Sequence, residues 1–537
     1  MQGLTVREQL EGFPVFQMVI ISLIRIAEPI AFTSMFPYIY FMIQQFGIAE
    51  NDADISRYSG YLASAFSFCQ FLCSVQWGKA SESFGRKPVL LVGLCGTATS
   101  MIVFGFSTNF YIAFLARMMM GLLNGNVSVI RTTIGEIAVE RRHQSIAFSS
   151  LTLLWSTGAI VGSWLGGVLT DTTHLPEVSS IDDKRDGSTN SGGLLTRYPF
   201  ALSNIVVAVI LCISILIGWL FFEETHDGKR FNRDRGLEVG DWLRKKLGFE
   251  VPVRPWQKYA PLYDDSRQGS ELMNDYDGDD EEDKDGIELQ LYSSVDPDAE
   301  SASSQEVKPT SENYAKAFTW PVINTILSHF ILSFHNLVYS EFLPVLLAGK
   351  VMVEDLDFPF KIKGGFGFSS DTIGMILSLT GIIGILVVIF IFPVLNTYFS
   401  TINSYRVALI TFPISLVILP LLIFTLPEYN HHIPSKFFTG AALYMITGLN
   451  TFSGATAFSQ IIILIHRASP KQHRALINGY TLSITALARC LAPIIWGYLI
   501  SKFDQMGYGG VSWWLLACIS VGGFLHSFVL EEYQEVL

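Results

Sequence analysis

The chain has 537 residues, of which 50% are hydrophobic, 13% aromatic and only 16% charged, and its mean hydropathy is +0.38. A water-soluble chain carries about a quarter charged residues, so these figures exclude a soluble enzyme, and they equally exclude a disordered chain or a disulfide-framed domain. The net charge of −12 is local: residues 223–316 hold 24 acidic and 13 basic side chains, the remainder is almost neutral, and no basic face for nucleic acid is left.

A membrane-crossing helix needs about 20 mostly apolar residues. In chain order such stretches lie at 17–43, 57–77, 88–106, 110–130, 146–169 and 199–222. After a long polar insert they resume at 319–347, 371–396, 404–426, 435–465, 475–500 and 511–530. The predicted fold class is an all-α integral membrane protein with twelve transmembrane helices. It divides into a six-helix half over 1–222, a cytosolic, acidic, largely disordered linker over 223–318, and a second six-helix half over 319–537. Met1 to Gly12 is polar and the first apolar run is too long for a signal-peptide core, so no cleavable leader is expected.

Lys and Arg in short loops set orientation. The loop after the second span has Lys79, Arg86 and Lys87, and the loop after the fourth has Arg141 and Arg142. The loop after the tenth has Arg467, Lys471 and Arg474, whereas the loop after the first has Glu50, Asp52 and Asp54. Both termini and the insert are therefore expected in the cytosol. The loops on the other side carry no Asn-x-Ser/Thr sequence, so N-glycosylation is not expected.

The insert begins basic, with Arg230, Arg233, Arg235, Arg244, Lys245 and Lys246. There Leu237, Trp242, Leu243 and Leu247 share part of a helical surface, which predicts an amphipathic helix on the cytosolic leaflet. Residues 264–312, with the run Asp279 to Asp283, read as a solvated linker. The six cysteines, Cys69, Cys73, Cys95, Cys212, Cys490 and Cys518, fall in apolar stretches and read as small buried hydrophobes. Cys69 and Cys73 share a helical face but lack a third ligand, and His431–His432 stands alone in a loop. No metal site and no cofactor is expected.

The two halves resemble each other. Phe32 to Pro37 in the first span matches Tyr339 to Pro344 in the seventh, which sets Glu28 opposite His335 and Ser34 opposite Glu341. Arg142-His143-Gln144 after the fourth span matches Gln472-His473-Arg474 after the tenth, and the same offset sets Ser163 opposite Pro493 and Gly167 opposite Gly497. Span six ends in Glu223-Glu224 and span twelve in Glu531-Glu532. Both halves start on the same side, so the repeat is parallel, an arrangement of transporters that bind their substrate at midplane between the halves.

Between the second and third spans lies Gly78-Lys-Ala-Ser-Glu82-Ser-Phe-Gly85-Arg86-Lys87. This resembles the G-x-x-x-D-x-x-G-R-K loop of the major facilitator superfamily, with Glu82 in place of Asp. Gly78 and Gly85 permit tight turns, and Arg86 and Lys87 are expected to anchor the loop to the cytosolic leaflet. Arg117 to Gly125, with Gly121 between, resembles the R-x-x-x-G-x-x-x-G element that the superfamily associates with proton coupling. Gly158, Gly162, Gly166 and Gly167 resemble the antiporter element of the fifth span, its proline replaced by Ser163. These glycines, with Gly121 and Gly125, read as close helix packing. With Asn478-Gly479, Ala488-Arg489 and Glu223-Glu224-Thr225-His226, the chain is similar to the zinc-induced-facilitator-like and tetracycline-resistance-like branch, and looks fungal. The resemblance implies a proton-coupled carrier of small solutes, monomeric by the superfamily's habit, in a vacuolar membrane or else the plasma membrane.

Ionisable groups inside spans are functional candidates. Arg25, Glu28, Arg117, His335, Glu341 and Arg489 are the substrate or proton-coupling candidates, with His329 a further intramembrane group. Arg25 and Glu28 are three apart and can pair. Glu28 and His335 are expected near a midplane cavity, with Glu341 nearer the non-cytosolic mouth. A proton is expected to load Glu28 or another buried carboxylate, and Arg117 or Arg489 to hold an anionic or zwitterionic solute. No Walker-type phosphate loop is present, so ATP does not drive the cycle from this chain. The reading is a multi-pass antiporter working with the lipid bilayer, protons and a small solute, not an enzyme. A uniporter or symporter of the same fold, and a receptor signalling through the acidic insert, are the other readings.

Overall fold

The computed structural model describes residues 12–124, 126–138, 141–170, 198–226, 228–249, 251–254, 256, 318–391, 394–395, 398–430, 435–470 and 474–531. Before the insert come α1 (Val15–Thr33), α2 (Ile39–Phe46), α3 (Asp54–Phe84), α4 (Arg86–Gly105), α5 (Phe110–Leu123), α6 (Asn126–Ile137), α7 (Arg141–Val168) and α8 (Ala201–Phe221). The insert contributes α9 (Arg235–Lys246). Then follow α10 (Trp320–Ala348), α11 (Ser370–Leu386), α12 (Thr401–Leu421), α13 (Lys436–Ala468), α14 (Arg474–Gln505) and α15 (Gly510–His526). The twelve apolar stretches fall on these helices singly or in pairs, with 371–396 continuing past α11 into a π-helical turn at Val387–Ile391 and 404–426 ending past α12 in a 3-10 turn at Leu422–Thr425. Among the described residues eight helices are long and apolar enough to cross a membrane, joined by shorter apolar helices such as Phe110–Leu123 and Gly510–His526. The acidic tract 264–312, Gly125 and His431–His432 fall outside the described residues.

Two expected continuous spans are broken. The first ends its regular helix at Thr33, tightens into i→i−3 bonds such as Phe36 N–H to the Thr33 carbonyl at 3.2 Å, and restarts at Ile39. Pro37 explains this, since it lacks an N–H and pushes the residue before it out of the α region. The fourth span stops at Leu123, where Asn124 adopts φ −95° and ψ 79°. Asn competes with the helix by hydrogen-bonding elsewhere, and here its side chain donates to Glu28 across to α1.

The expectation that all six cysteines are buried is corrected. Cys69 is buried, but Cys95, Cys212 and Cys518 are exposed on the outer surface of the bundle. A small apolar side chain has no need to avoid that surface if lipid covers it.

α7 shows how the sequence positions the halves. Gly158, Gly162 and Gly166 recur every four residues and lie against α1, where added Cβ atoms would meet Pro29 Cγ at 2.4 Å, Thr33 Oγ1 at 2.3 Å and the Ser34 carbonyl oxygen at 1.8 Å. Gly167 sits about 100° further round the helix and faces the other half instead. A Cβ there would lie 2.7 Å from the Ser370 carbonyl oxygen and 2.8 Å from Gly374 Cα on α11. The second contact between halves is α3 on α14, where a Cβ at Gly60 would meet the Pro493 carbonyl oxygen at 2.2 Å and one at Gly497 the Ser56 carbonyl oxygen at 2.9 Å. Ser163 and Pro493, paired by the repeat, thus occupy equivalent seams: the Ser163 carbonyl oxygen faces Gly374 as that of Pro493 faces Gly60.

Two apolar cores stay within one half each, one from Met18 to Phe222 and one from Val322 to Leu530. A third draws on both, with Met35, Tyr38, Ile55, Phe342, Phe366 and Trp496 among its members. It seals the end of the bundle that carries the loop after α2. Polar groups finish that seal. Asp54 Oδ1 accepts from Ser501 Oγ at 2.8 Å and from Gln505 Nε2 at 3.0 Å, and Lys350 pairs with Asp52 at 3.2 Å. The loop after α10 folds over the same end, with the Ile362 N–H donating to the Gly507 carbonyl at 3.0 Å.

Gly60→Val is expected to part the halves at this end, since overpacking a filled contact costs ~1–3 kcal/mol. Maleimide labelling of the buried Ser56, made reactive as Ser56→Cys, should rise several-fold. Gly440→Ala, whose Cβ meets nothing within 4 Å, should leave that labelling unchanged.

Candidate functional site

At the opposite end the halves separate around a cavity of about 730 Å³. Its walls come from α1, α3, α6 and α7 on one side and α14 on the other. Arg25 and Glu28 are one helical turn apart on α1 and form a buried ion pair. Asn124 Nδ2 donates to Glu28 Oε1 at 3.1 Å, so the carboxylate has partners on both oxygens. The Arg25 guanidinium also lies over the Trp155 ring at 5.6 Å. Arg489 on α14 completes the wall opposite, with a buried Nε that has no hydrogen-bond partner. Arg131 on α6 lines the same space and is exposed to it.

The remaining candidates lie apart from the cavity wall. Arg117 is 2% exposed and sits between aromatic rings, with Phe66 at 5.1 Å and Phe32 at 5.7 Å, and donates to the Leu62 carbonyl at 3.4 Å. His335 is packed edge-on against Phe412 at 4.6 Å, its Nδ1 without a partner. Glu341 is 5% exposed, its Oε2 has no partner, and Arg117 and Arg489 are the cations that act on it. His329 bonds Thr485 Oγ1 at 3.1 Å. The structure therefore brings together Arg25, Glu28 and Arg489, and sets Glu341 with Arg117 deeper, toward the sealed end.

At the cavity mouth the expected loop is a sharp junction at Gly85 between α3 and α4, so Gly78 lies within α3 and makes no turn, and Arg86 and Lys87 open α4 in a role other than the expected one. Arg86 and Lys87 do not reach a lipid leaflet; both are buried and satisfied within the protein. Arg86 pairs with Glu136 at 2.9 Å and bonds Ser81 Oγ at 2.9 Å. Lys87 pairs with Asp234 at 2.7 Å and donates to the Trp219 carbonyl at 2.9 Å. Nearby carboxylates outcompete headgroups because the pairs are already desolvated and hydrogen-bonded. Glu224, just past α8, accepts from the Arg86 and Lys87 backbone N–H groups at 2.8 and 3.1 Å, which caps the N-terminus of α4 where its dipole favours an anion. Gly85, at φ +102°, admits that carboxylate; a Cβ there would lie 2.4 Å from Glu224 Oε2. Gly78, Lys79 and Glu82 line the mouth itself.

The insert helix is tied to this loop. Asp234 caps α9 through the Gly236 N–H at 2.8 Å while holding Lys87. Gly236 and Gly240 lay α9 on the Trp219 and Leu220 carbonyls of α8. Arg254, 3% exposed, bridges Glu223 and Asp241 at 2.6 Å each. Leu237 turns into the protein while Trp242 and Leu247 stay exposed, so these residues do not share one environment as expected.

Two half-bundles meeting at glycine seams, with a charged cavity between them and a G-x-x-x-E-x-x-G-R-K loop at its mouth, form a carrier architecture. A family model described as the Major Facilitator Superfamily matches residues 21–353. The chain belongs to the major facilitator superfamily. It is 33% identical over 98% of its length to the major facilitator superfamily multidrug transporter mfsB of Aspergillus fumigatus, covering 85% of that protein. It is 24% identical to the zinc-induced-facilitator-like 1 protein of Arabidopsis thaliana, over 69% of this chain and 62% of that one. Among solved structures the D-xylose–proton symporter aligns over 97% of this chain and 99% of its own, with a TM-score of 0.59 and 11% identity, a likeness of fold. The protein is a multi-pass membrane transporter rather than an enzyme.

Sequence reasoning missed Arg131, because it lies one residue beyond the apolar stretch 110–130 and reads as a loop charge. It missed Glu136 and Asp234 because their partners are 50 and 147 residues away. Asn124 carried a signal, an amide inside an apolar run. Truncating Arg254 should release α9 from the transporter. In Arg254→Ala, amide exchange over residues 235–246 is expected to quicken at least tenfold by mass spectrometry. Arg233→Ala removes only an exposed pair and should leave that exchange unchanged.

Proposed function

We propose that this transporter exchanges a small solute for protons by alternating access, and that Glu341 carries the proton. The observation that carries this is the contrast between two buried carboxylates. Glu28 has both oxygens partnered, one by Arg25 and one by Asn124. Glu341 is as buried, yet one of its oxygens has no partner. A buried charge without hydrogen bonds is costly, and protonation removes that cost. Of the carboxylates that the sequence reading left open, Glu28 or another buried one, this reading chooses Glu341.

The position of Glu341 supports a link to gating. The next residue, Phe342, puts its ring tip 3.4 Å from the Cβ position of Gly60 and 3.3 Å from that of Gly497, inside the α3–α14 seam. Ionised Glu341 on α10 attracts Arg117 on α5, which belongs to the other half. Protonation weakens that attraction and shifts the balance between the state open at the cavity mouth and the state open at the sealed end. We take the membrane to be vacuolar, the protein monomeric and both termini cytosolic, on the resemblance and the loop charges; a fluorescent fusion imaged at the vacuolar rim checks the first.

The test is transport in sealed vesicles under an imposed pH gradient, with a pool of metal ions, chelators, amino acids and organic ions. Glu341→Gln is expected to lose gradient-driven accumulation at least tenfold while keeping solute-for-solute exchange. Glu28→Gln should weaken apparent affinity and keep the response to pH. Full gradient-driven accumulation by Glu341→Gln removes that residue from coupling, and equal failure of both variants with an inert wild type favours a receptor.

A further inference from the structure

We infer that the cavity is built to receive an organic anion carrying an aromatic or conjugated ring. This rests on the carrier reading above and names its substrate class. The charged residues lining the cavity are Arg25, Lys79, Arg131 and Arg489 against Glu28 and Glu82, an excess of two positive charges. Arg25 is neutralised by Glu28. Lys79 and Glu82 are exposed at the mouth, three residues apart on α3, and their opposite charges cancel in the sum. The excess therefore resides on Arg131 and Arg489, one from each half. The two guanidiniums repel each other through space, and although Glu28 attracts both and Glu341 attracts Arg489, no carboxylate among the described residues is hydrogen-bonded to either. In a cavity walled by protein, where charges are weakly screened, such a pair is stabilised by an anion that sits between them.

The walls specify the rest of the ligand. Phe32, Phe66, Phe71 and Trp155 line the side formed by the first half, while Gly479, Leu482, Ser483 and Ala486 form a less bulky α14 side. An aromatic slot facing a mostly apolar wall of smaller side chains accepts a flat ring, and Gln70 and Ser74 offer hydrogen bonds along its edge. The volume of about 730 Å³ falls in the range of sites for drug-sized molecules. An anionic group held by Arg131 and Arg489 would touch both halves at once. That gives the ligand a means to draw the mouth together, because only a group bound by both halves gains when they approach.

The experiment uses the full chain in nanodiscs and two dyes that share a xanthene ring but differ in charge, fluorescein (anionic) and pyronin Y (cationic). Binding is read by fluorescence anisotropy near neutral pH. Fluorescein is expected to bind at least tenfold tighter than pyronin Y, which corresponds to ~1.4 kcal/mol. Arg131→Gln and Arg489→Gln should each weaken fluorescein about tenfold and leave pyronin Y unchanged or improved. Arg131→Glu should reverse the preference, a result that misfolding cannot produce. Tighter binding of the cation by the wild type, or fluorescein binding indifferent to both arginines, overturns the inference. Arginine-dependent fluorescein binding without its accumulation in vesicles under a pH gradient would keep the site and sink the carrier reading. Accumulation of another solute with no fluorescein binding would keep the carrier and sink the anion class.

Discussion

The structure depends on backbone-to-backbone contact between its halves. Helices on either side of the insert come close enough for a carbonyl oxygen to crowd the place of a Cβ, that of Pro493 at Gly60 and that of Ser370 at Gly167. Such contacts hold without a hydrophobic driving force, which lipid does not supply between apolar helices, because close packing and dispersion replace it. They also resist gradual deformation. A seam at this distance is either closed or parted, so a bundle with two such seams favours discrete states over continuous ones. The cavity at one end and the mixed apolar core at the other are consequences of where each seam is closed.

Charges are arranged around that constraint in three tiers. At the sealed end Asp52 and Asp54 fasten the halves with polar bonds. In the middle Glu28 is fully partnered, whereas Glu341 and Arg117 each retain an unsatisfied atom. At the mouth, carboxylates Glu136, Glu224 and Asp234 saturate the cationic loop. A group with all its bonds made holds a conformation; a group short of a bond gains by changing its charge or its neighbour. Transport chemistry is assigned here to the second kind.

The loop between α3 and α4 serves as a junction more than as a membrane anchor. Its two cations join three separate parts of the chain: α6, the end of α8 and the insert helix α9. Through Asp234 the insert is physically continuous with the mouth of the cavity. Arg254 strengthens the join by binding Glu223 at the end of α8 to Asp241 on α9.

Apolar run length determined the twelve spans from sequence alone, because hydrophobic thickness is matched segment by segment. Local spacing likewise revealed the pairing of Arg25 with Glu28, the glycine face of α7 and the repeat that relates Ser163 to Pro493. What only the tertiary structure decided is which of several equivalent charges has a partner. Glu28 and Glu341 are each the single carboxylate of an apolar stretch, and spacing offers Arg25 to Glu28 without showing whether either has all its bonds made. Folding adds Asn124 to Arg25 at Glu28, whereas among the described residues one oxygen of Glu341 has no partner. Arg131 reads as a loop residue until a break at Asn124 turns α6 along the cavity. Apolar length and glycine spacing act through neighbours along the chain. The state of a buried charge is set by atoms that folding brings from as far as 451 residues away.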